Sequence, residues 1–212
     1  MTMLREQAYI RFKEILFAGN LRPGQFVSQR ELTTMTGVSA GPMREALKRL
    51  ETEAFVLLIP QVGVQIADVN IAFIRNAFQL RITLEVSAVR HFAAHATEDE
   101  IAALEESTRS IIAAANRAPS RQVLDEALVV DWRMHDALIN SLGNPLIAEI
   151  HRVNSEKIRL IRLNCWFTPE RVVPAMEEHL AILTACRARR SAGAARSLER
   201  HLETSRRRAM GS

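Results

Sequence analysis

Cysteine occurs only twice in the 212 residues, at Cys165 and Cys186. So sparse and separated a pair excludes a disulfide framework and points to core packing in a reduced, cytoplasmic setting. Glycine (eight) and proline (seven) are also scarce, and no internal repeat or low-complexity linker interrupts the chain. No apolar run approaches the roughly 20 residues of a membrane span, and the opening does not read as a secretion signal. What remains is a chain that is 48% hydrophobic, enough for a real core. Its abundant Ala, Leu, Arg and Glu favour helix. The expectation is a mainly α protein of one large or two small domains.

The net charge of +4 invites a nucleic-acid reading, but its distribution matters. Residues 1–68 hold eight Lys/Arg against seven Asp/Glu, whereas residues 187–208 hold eight Arg against two Glu. The basicity belongs to the last helix, and an arginine-rich solvated helix end accounts for it without DNA.

Local pattern says more. In residues 3–18, Leu4, Ala8, Phe12, Ile15 and Leu16 recur near helical period. "GNLRPGQ" then breaks the chain. Ser28 caps a short helix to about Thr36 with Leu32 and Met35 inward, and Gly37 ends it. Ser39 caps the next helix, whose first turn accommodates Pro42. That helix sets Met43, Ala46, Leu47 and Leu50 on one side and Arg44 and Lys48 on the other. "FVLLI" and "VGVQIA" then read as two strands joined near Pro60–Gly63. Two short helices about a glycine turn, followed by a hairpin, describe a winged helix-turn-helix. Its second helix enters the DNA major groove.

From Asn70 onward no strand is expected. Six helices fall at about 70–95, 98–117, 121–142, 145–164, 169–191 and 193–208. Their breaks are at Thr97, Pro119–Ser120, "GNP", Thr168–Pro169 and Gly193. In the third of these, Leu124, Leu128, Asp131, His135, Leu138 and Leu142 share one stripe, so a carboxylate and an imidazole face inward. A buried carboxylate is costly unless it is paired or holds a metal. The fifth helix aligns Val172, Met176, His179, Leu183 and Cys186. The last aligns Ala194, Leu198, His201 and Ser205. Three helices therefore point Asp131, His135, His179 and His201 toward one interior. Two readings stand at this point: a hydrogen-bonded polar core, or a site for a divalent cation such as Zn, Mn or Ni with positions left for an anion. His91 and His95 form a second i, i+4 pair without evident partners, and His151 stands alone. Arg81 can bind a carboxylate bidentately or pair with Glu85 one turn on. Asn154, on the stripe Ile147, Ile150, Ile158 and Ile161, either lines the same cavity or bonds to backbone.

Residues 21–66, "LRPGQFVSQRELTTMTGVSAGPMREALKRLETEAFVLLIPQVGVQI", resemble the DNA-binding domain of the GntR superfamily of transcriptional regulators. The "L-x-P-G" entry, "G-V-S" turn, "P-x-R-E-A-L-x-R-L" recognition helix and wing glycine appear in order. The resemblance implies DNA contacts from Arg30, Ser39, Arg44 and Gly63, with Lys48 on the same helix face as Arg44. Ala40 and Gly41 depart from the Arg and Thr frequent in relatives, so their operator sequence does not transfer. The rest resembles the FCD effector domain of the FadR group. It does so through "QLRITLEVSAVRHFAA", "DWRMHDALINSLGNPLI", "EEHLAILTAC" and "RHL". Metal-binding members use Asp-x-x-x-His and two later histidines, a pattern that Asp131, His135, His179 and His201 match in order.

The expected organisation is therefore a winged helix-turn-helix at 1–68 and a helical effector-binding and dimerisation domain at 69–212. The expected function is a homodimeric regulator, usually a repressor, that binds double-stranded operator DNA. A small carboxylate effector would bind through Arg81 and Asn154 beside a divalent metal. It is not expected to be an enzyme. The alternatives are a metal-dependent hydrolase, which lacks an evident general base and leaves residues 1–68 unexplained, and a regulator that senses the metal itself.

Overall fold

The computed structural model describes residues 2–164 and 169–211. Cys165 and the expected Thr168–Pro169 helix start lie outside, or at the edge of, these residues. The described residues form two compact units: 2–74 with 156–164, and 75–155 with 169–211.

The first unit contains α1 (Thr2–Phe17), β1 (Phe26–Val27), α2 (Gln29–Thr36), α3 (Ala40–Thr52), β2 (Val56–Ile59) and β3 (Gly63–Ile66). Ser28 accepts a hydrogen bond from the Glu31 backbone N–H while the Glu31 side chain accepts one from the Ser28 N–H. This reciprocal capping box starts α2. Gly37, with φ at 67°, ends it in the left-handed conformation that a side chain resists. Met43, Ala46, Leu47 and Leu50 of α3 are buried as the stripe predicts, against Phe12 and Leu16 of α1, Leu32 and Phe55 in the same core. Leu4 and Met35, expected inward, are exposed. Both lie just off the line that α1 and α2 bury, where the 3.6-residue turn carries a neighbouring position out to solvent.

The sheet is antiparallel in the order β1-β3-β2, with Val27 opposite Val64 and Ile59 opposite Gly63. The two-residue β1 was not expected, since it is too short to show alternation. It explains Gly63: φ is 132°, and a Cβ there would sit 3.0 Å from the Val27 carbonyl oxygen. The end of α7 (Pro145–Asn164) belongs to this unit. Its Glu156 pairs with Lys13, and Arg159 stacks on Phe17 at 4.4 Å.

The second unit is helical among its described residues: α4 (Ile71–His95), α5 (Glu98–Arg117), α6 (Arg121–Asn140), the start of α7, α8 (Val172–Arg187) and α9 (Ser191–Ala209). A 3-10 turn, Pro169–Arg171, precedes α8. Thr97 and Glu100 form a second capping box at α5. Ala88, Val89, Phe92, Ile101, Leu104, Met134, Leu138, Ile182, Leu183, Leu198 and Leu202 make one core drawn from α4, α5, α6, α8 and α9. Cys186 lies in it, and burial pushes its thiol up to about 12, as befits packing rather than reactivity.

Two boundaries differ from expectation. Gly193 lies inside α9; the break is at residues 188–190, where Arg189 adopts φ 54°. Arg189 tolerates that conformation while its guanidinium donates to the Ala93 carbonyl. On α7, Ile150 is exposed, and the inward line is His151, Asn154, Ile158 and Ile161.

Candidate functional site

The four expected ligands converge. Asp131 and His135 lie one turn apart on α6, His179 on α8 and His201 on α9; all four are buried. One donor atom from each lies within 4.8 Å of the other three. His179 Nε2 is 3.3 Å from His201 Nε2 and 3.5 Å from Asp131 Oδ1, and His135 Nε2 is 3.9 Å from the same carboxylate oxygen. Donors bound at about 2.0–2.2 Å around one ion stand at separations of this order.

Hydrogen bonds set the imidazole tautomers. Glu85 Oε2 accepts from His135 Nδ1 at 2.7 Å, and Glu178 Oε2 accepts from His201 Nδ1 at 2.6 Å. A carboxylate accepts and does not donate, so each Nδ1 carries the proton and each Nε2 presents a lone pair to the site. A carboxylate behind a ligating imidazole is the usual support of a metal ligand. His135 Nε2 is buried with no hydrogen-bond partner among the described residues, as a coordinating nitrogen awaiting a cation would be. Burial, then the Arg81 guanidinium, lowers the pKa of His135 to about 4. Burial, then neighbouring His201, holds His179 well below the ordinary imidazole range. These two rings are thus neutral at neutral pH, the form that binds metal. The donor set fits a divalent cation.

Glu85, like Glu178, has a part in the site that the sequence does not reveal. It is fully buried and joins three helices: Oε1 accepts from Arg81 Nε at 2.7 Å and His151 Nε2 at 3.0 Å, and Oε2 from His135. Burial alone would raise its pKa, but the Arg81 guanidinium, with His135 and His151, holds it well below the usual carboxylate range. His151 therefore has company after all. It bonds Glu85 and lies 3.6 Å from Asp136 on α6. The available signal was the stripe Phe78, Arg81, Glu85, Ala88 and Phe92, all buried.

Arg81 pairs with Glu85 through Nε, yet both terminal nitrogens are buried without a hydrogen-bond partner among the described residues. Asn154 donates to the Ala77 carbonyl at 3.0 Å, while its Oδ1 has no such partner. Each residue thus makes the structural bond open to it and keeps buried polar atoms in reserve.

In the first unit Arg30, Ser39, Arg44 and Lys48 are exposed. Ser39 takes the N-cap position of α3 without a side-chain bond, so it does not cap as expected. Lys48 pairs with Glu45 at 2.8 Å. No described helix is long and apolar enough to cross a membrane.

Comparison with known proteins gives two family matches: "Bacterial regulatory proteins, gntR family" over residues 4–66 and "FCD domain" over residues 76–204. The chain is 32% identical over 149 residues to the Nta operon transcriptional regulator of Aminobacter aminovorans, covering 69% of this chain and 68% of that one. It is 24% identical over 187 residues to the transcriptional repressor RspR of Escherichia coli (86% and 78%). A GntR structure from Rhodococcus sp. RHA1 superposes with a TM-score of 0.77 at 19% identity, over 100% of this chain and 99% of that one. The Zn2+-bound FCD domain of TM0439 superposes with a TM-score of 0.56 at 22% identity, over 68% and 96%. These families remove the hydrolase alternative. The chain belongs to the GntR family of bacterial transcriptional regulators and carries an FCD domain.

Proposed function

We propose that the chain is a cytoplasmic, homodimeric repressor whose affinity for operator DNA is set by a small carboxylate effector bound beside a divalent cation. The observation that carries this reading is the convergence of Asp131, His135, His179 and His201 within 4.8 Å, next to a buried Arg81 whose two terminal nitrogens have no hydrogen-bond partner among the described residues. A cation there supplies Lewis-acid positions for an anionic oxygen, and Arg81 offers two parallel N–H groups of the geometry that matches a carboxylate. Asn154 offers a further polar atom. The regulator reading is preferred to direct metal sensing because a cation alone leaves those Arg81 donors without a purpose.

On the DNA side, Arg44 and Lys48 lie on the exposed face of α3, opposite its buried stripe. Arg44 is the base-reading candidate and Lys48 and Arg30 are phosphate contacts. The N–H groups of the first turn of α3, with no side-chain cap upon them, suit a phosphate. One recognition helix reads too few base pairs for genomic selectivity, so a two-fold dimer on a near-palindrome is the working form. Effector and operator are linked reciprocally. The domain division offered is 1–68 for DNA and 69–212 for effector and dimerisation. The test is operator binding by fluorescence anisotropy on the DNA flanking its own gene, with a panel of small carboxylates, before and after chelation. A carboxylate that shifts affinity only in the metal-loaded protein supports the reading. Equal shifts with and without metal, or none with any carboxylate, refute it.

A further inference from the structure

The three inward histidines are backed unequally. Behind His135 stands Glu85, fully buried, its carboxylate shared among His135 Nδ1, Arg81 Nε and His151 Nε2. Contacts among α4, α6 and α7 have to part before that imidazole can turn. His179 is fully buried on α8, and its Nδ1 has no hydrogen-bond partner among the described residues. Behind His201 stands Glu178, whose Oε2 accepts from His201 Nδ1 at 2.6 Å. This carboxylate differs from Glu85 in reaching water: its side chain is 30% exposed. Its other oxygen lies 4.0 Å from Arg208 Nη2, in the last turn of α9. We propose that Glu178 is a positioning residue that sets how tightly the buried centre holds a divalent cation and how fast it releases one, acting through His201. The proposal rests on the metal-centre reading above and adds to it the side from which the ion exchanges.

A ligating imidazole is strengthened when its second nitrogen donates to a carboxylate, which fixes the ring and its tautomer and raises the basicity of the ligating nitrogen. The bond to Glu178 does this for His201, whose Nε2 is thereby held 3.3 Å from His179 Nε2. A buried centre also needs a path by which an ion arrives and leaves. All four donor residues are buried, so that path has to begin at a group behind them. Of the two carboxylates bonded to ligating rings, only Glu178 reaches solvent. Water can take the place of its bond to His201 at small cost, whereas in the dry interior the loss of the Glu85 bond leaves polar groups unpaired. The contact with Arg208 is long and partly exposed, and a pair of that kind restrains the carboxylate only weakly. His201 is therefore the ligand whose support yields without opening the core.

Release of Zn2+ from loaded full-length protein into excess chelator, followed by stopped flow beside affinities from chelator competition, tests the proposal. Glu178→Ala is expected to weaken Zn2+ binding by about 10–100-fold, most of it as faster release. Glu178→Gln, whose amide oxygen still accepts from Nδ1 but carries no charge, should fall between Glu178→Ala and wild type. Glu177→Ala, at an exposed neighbour on α8, should keep wild-type values. The melting temperature of metal-free protein separates this role from a merely structural one. It should change little in Glu178→Gln, with the loss confined to the zinc-loaded state. Glu178→Ala with wild-type affinity and release overturns the proposal, as does a fall in metal-free melting temperature with zinc affinity intact. Should Glu178→Ala fail to fold, Glu178→Gln decides alone, and release as slow as wild type overturns the proposal. Wild-type protein that takes up no Zn2+ refutes the metal centre itself, and this proposal with it.

Discussion

The two units carry their polar chemistry in opposite ways. In the N-terminal unit Arg30, Ser39, Arg44 and Lys48 stand exposed above an apolar stripe that does the folding. In the helical unit Arg81, Glu85, Asp131, His135, His151, His179 and His201 are themselves interior. An exposed side chain away from special backbone changes stability little when replaced, while a buried polar network couples every member to the fold. The DNA unit can therefore lose function without losing structure. The helical unit cannot separate the two so cleanly.

Four experiments press on that contrast. The largest effect is expected from Glu85→Ala, which leaves the Arg81 guanidinium buried without its partner and frees His135 and His151. Breaking one side of a buried pair costs about 3–5 kcal/mol, measured by urea denaturation. A loss below about 1 kcal/mol would mean that the network is not integral to the core.

Next is pH. His135 takes its proton near 6.5 when unfolded and at about 4 when folded. Between those values the unfolded state holds more protons, so stability is complete above pH 6.5 and falls as pH drops toward 4. The loss from this one residue is about 3 kcal/mol in metal-free protein. His135→Gln should flatten the profile; an unchanged slope in that variant would assign it elsewhere.

Metal removal follows. A ligand at about 100 times its Kd stabilises by about 2.7 kcal/mol, or roughly 5–10 °C in Tm for a chain of this size. Chelation should reverse the gain and His179→Ala should abolish it, as read by differential scanning fluorimetry with Zn, Mn and Ni. Smallest, and confined to DNA, is Arg44→Ala. It should weaken specific operator binding by about 1–3 kcal/mol at fixed salt and move stability by no more than about 0.5 kcal/mol. A larger stability change would erase the distinction between the units.

The same contrast governs what was legible in the sequence. The helix-turn-helix shows as local punctuation (Ser28, Gly37, Ser39) and one clean stripe, because capping and turn chemistry act over a few residues. The proposed metal donors show as polar interruptions of apolar stripes, because a carboxylate on a buried face must be paired or ligating. Glu85 shows in sequence only as the i+4 partner of Arg81, since nothing in α4 alone reveals that α6 and α7 bring His135 and His151 to it. Long-range pairing of that kind has no local signature. His151 stands alone in sequence because the apolar residues of α7 draw the stripe one residue off, through Ile150, and a helix face is set by its neighbours as much as by its apolar residues. Glu178 is masked by standing beside His179 on a half-buried position, although it anchors His201 on the next helix. Gly193 misleads because glycine is a common helix stop but not an obligatory one.

The central claim is that the polar interior of the helical unit is a metal centre rather than a hydrogen-bonded core. Elemental analysis of gel-filtered protein, wild type beside Asp131→Ala, tests it most directly. The expected result is about one divalent ion per wild-type chain and nearly none in the variant. Wild-type protein free of metal that also fails to take up added Zn, Mn or Ni would contradict it, as would equal metal in both proteins.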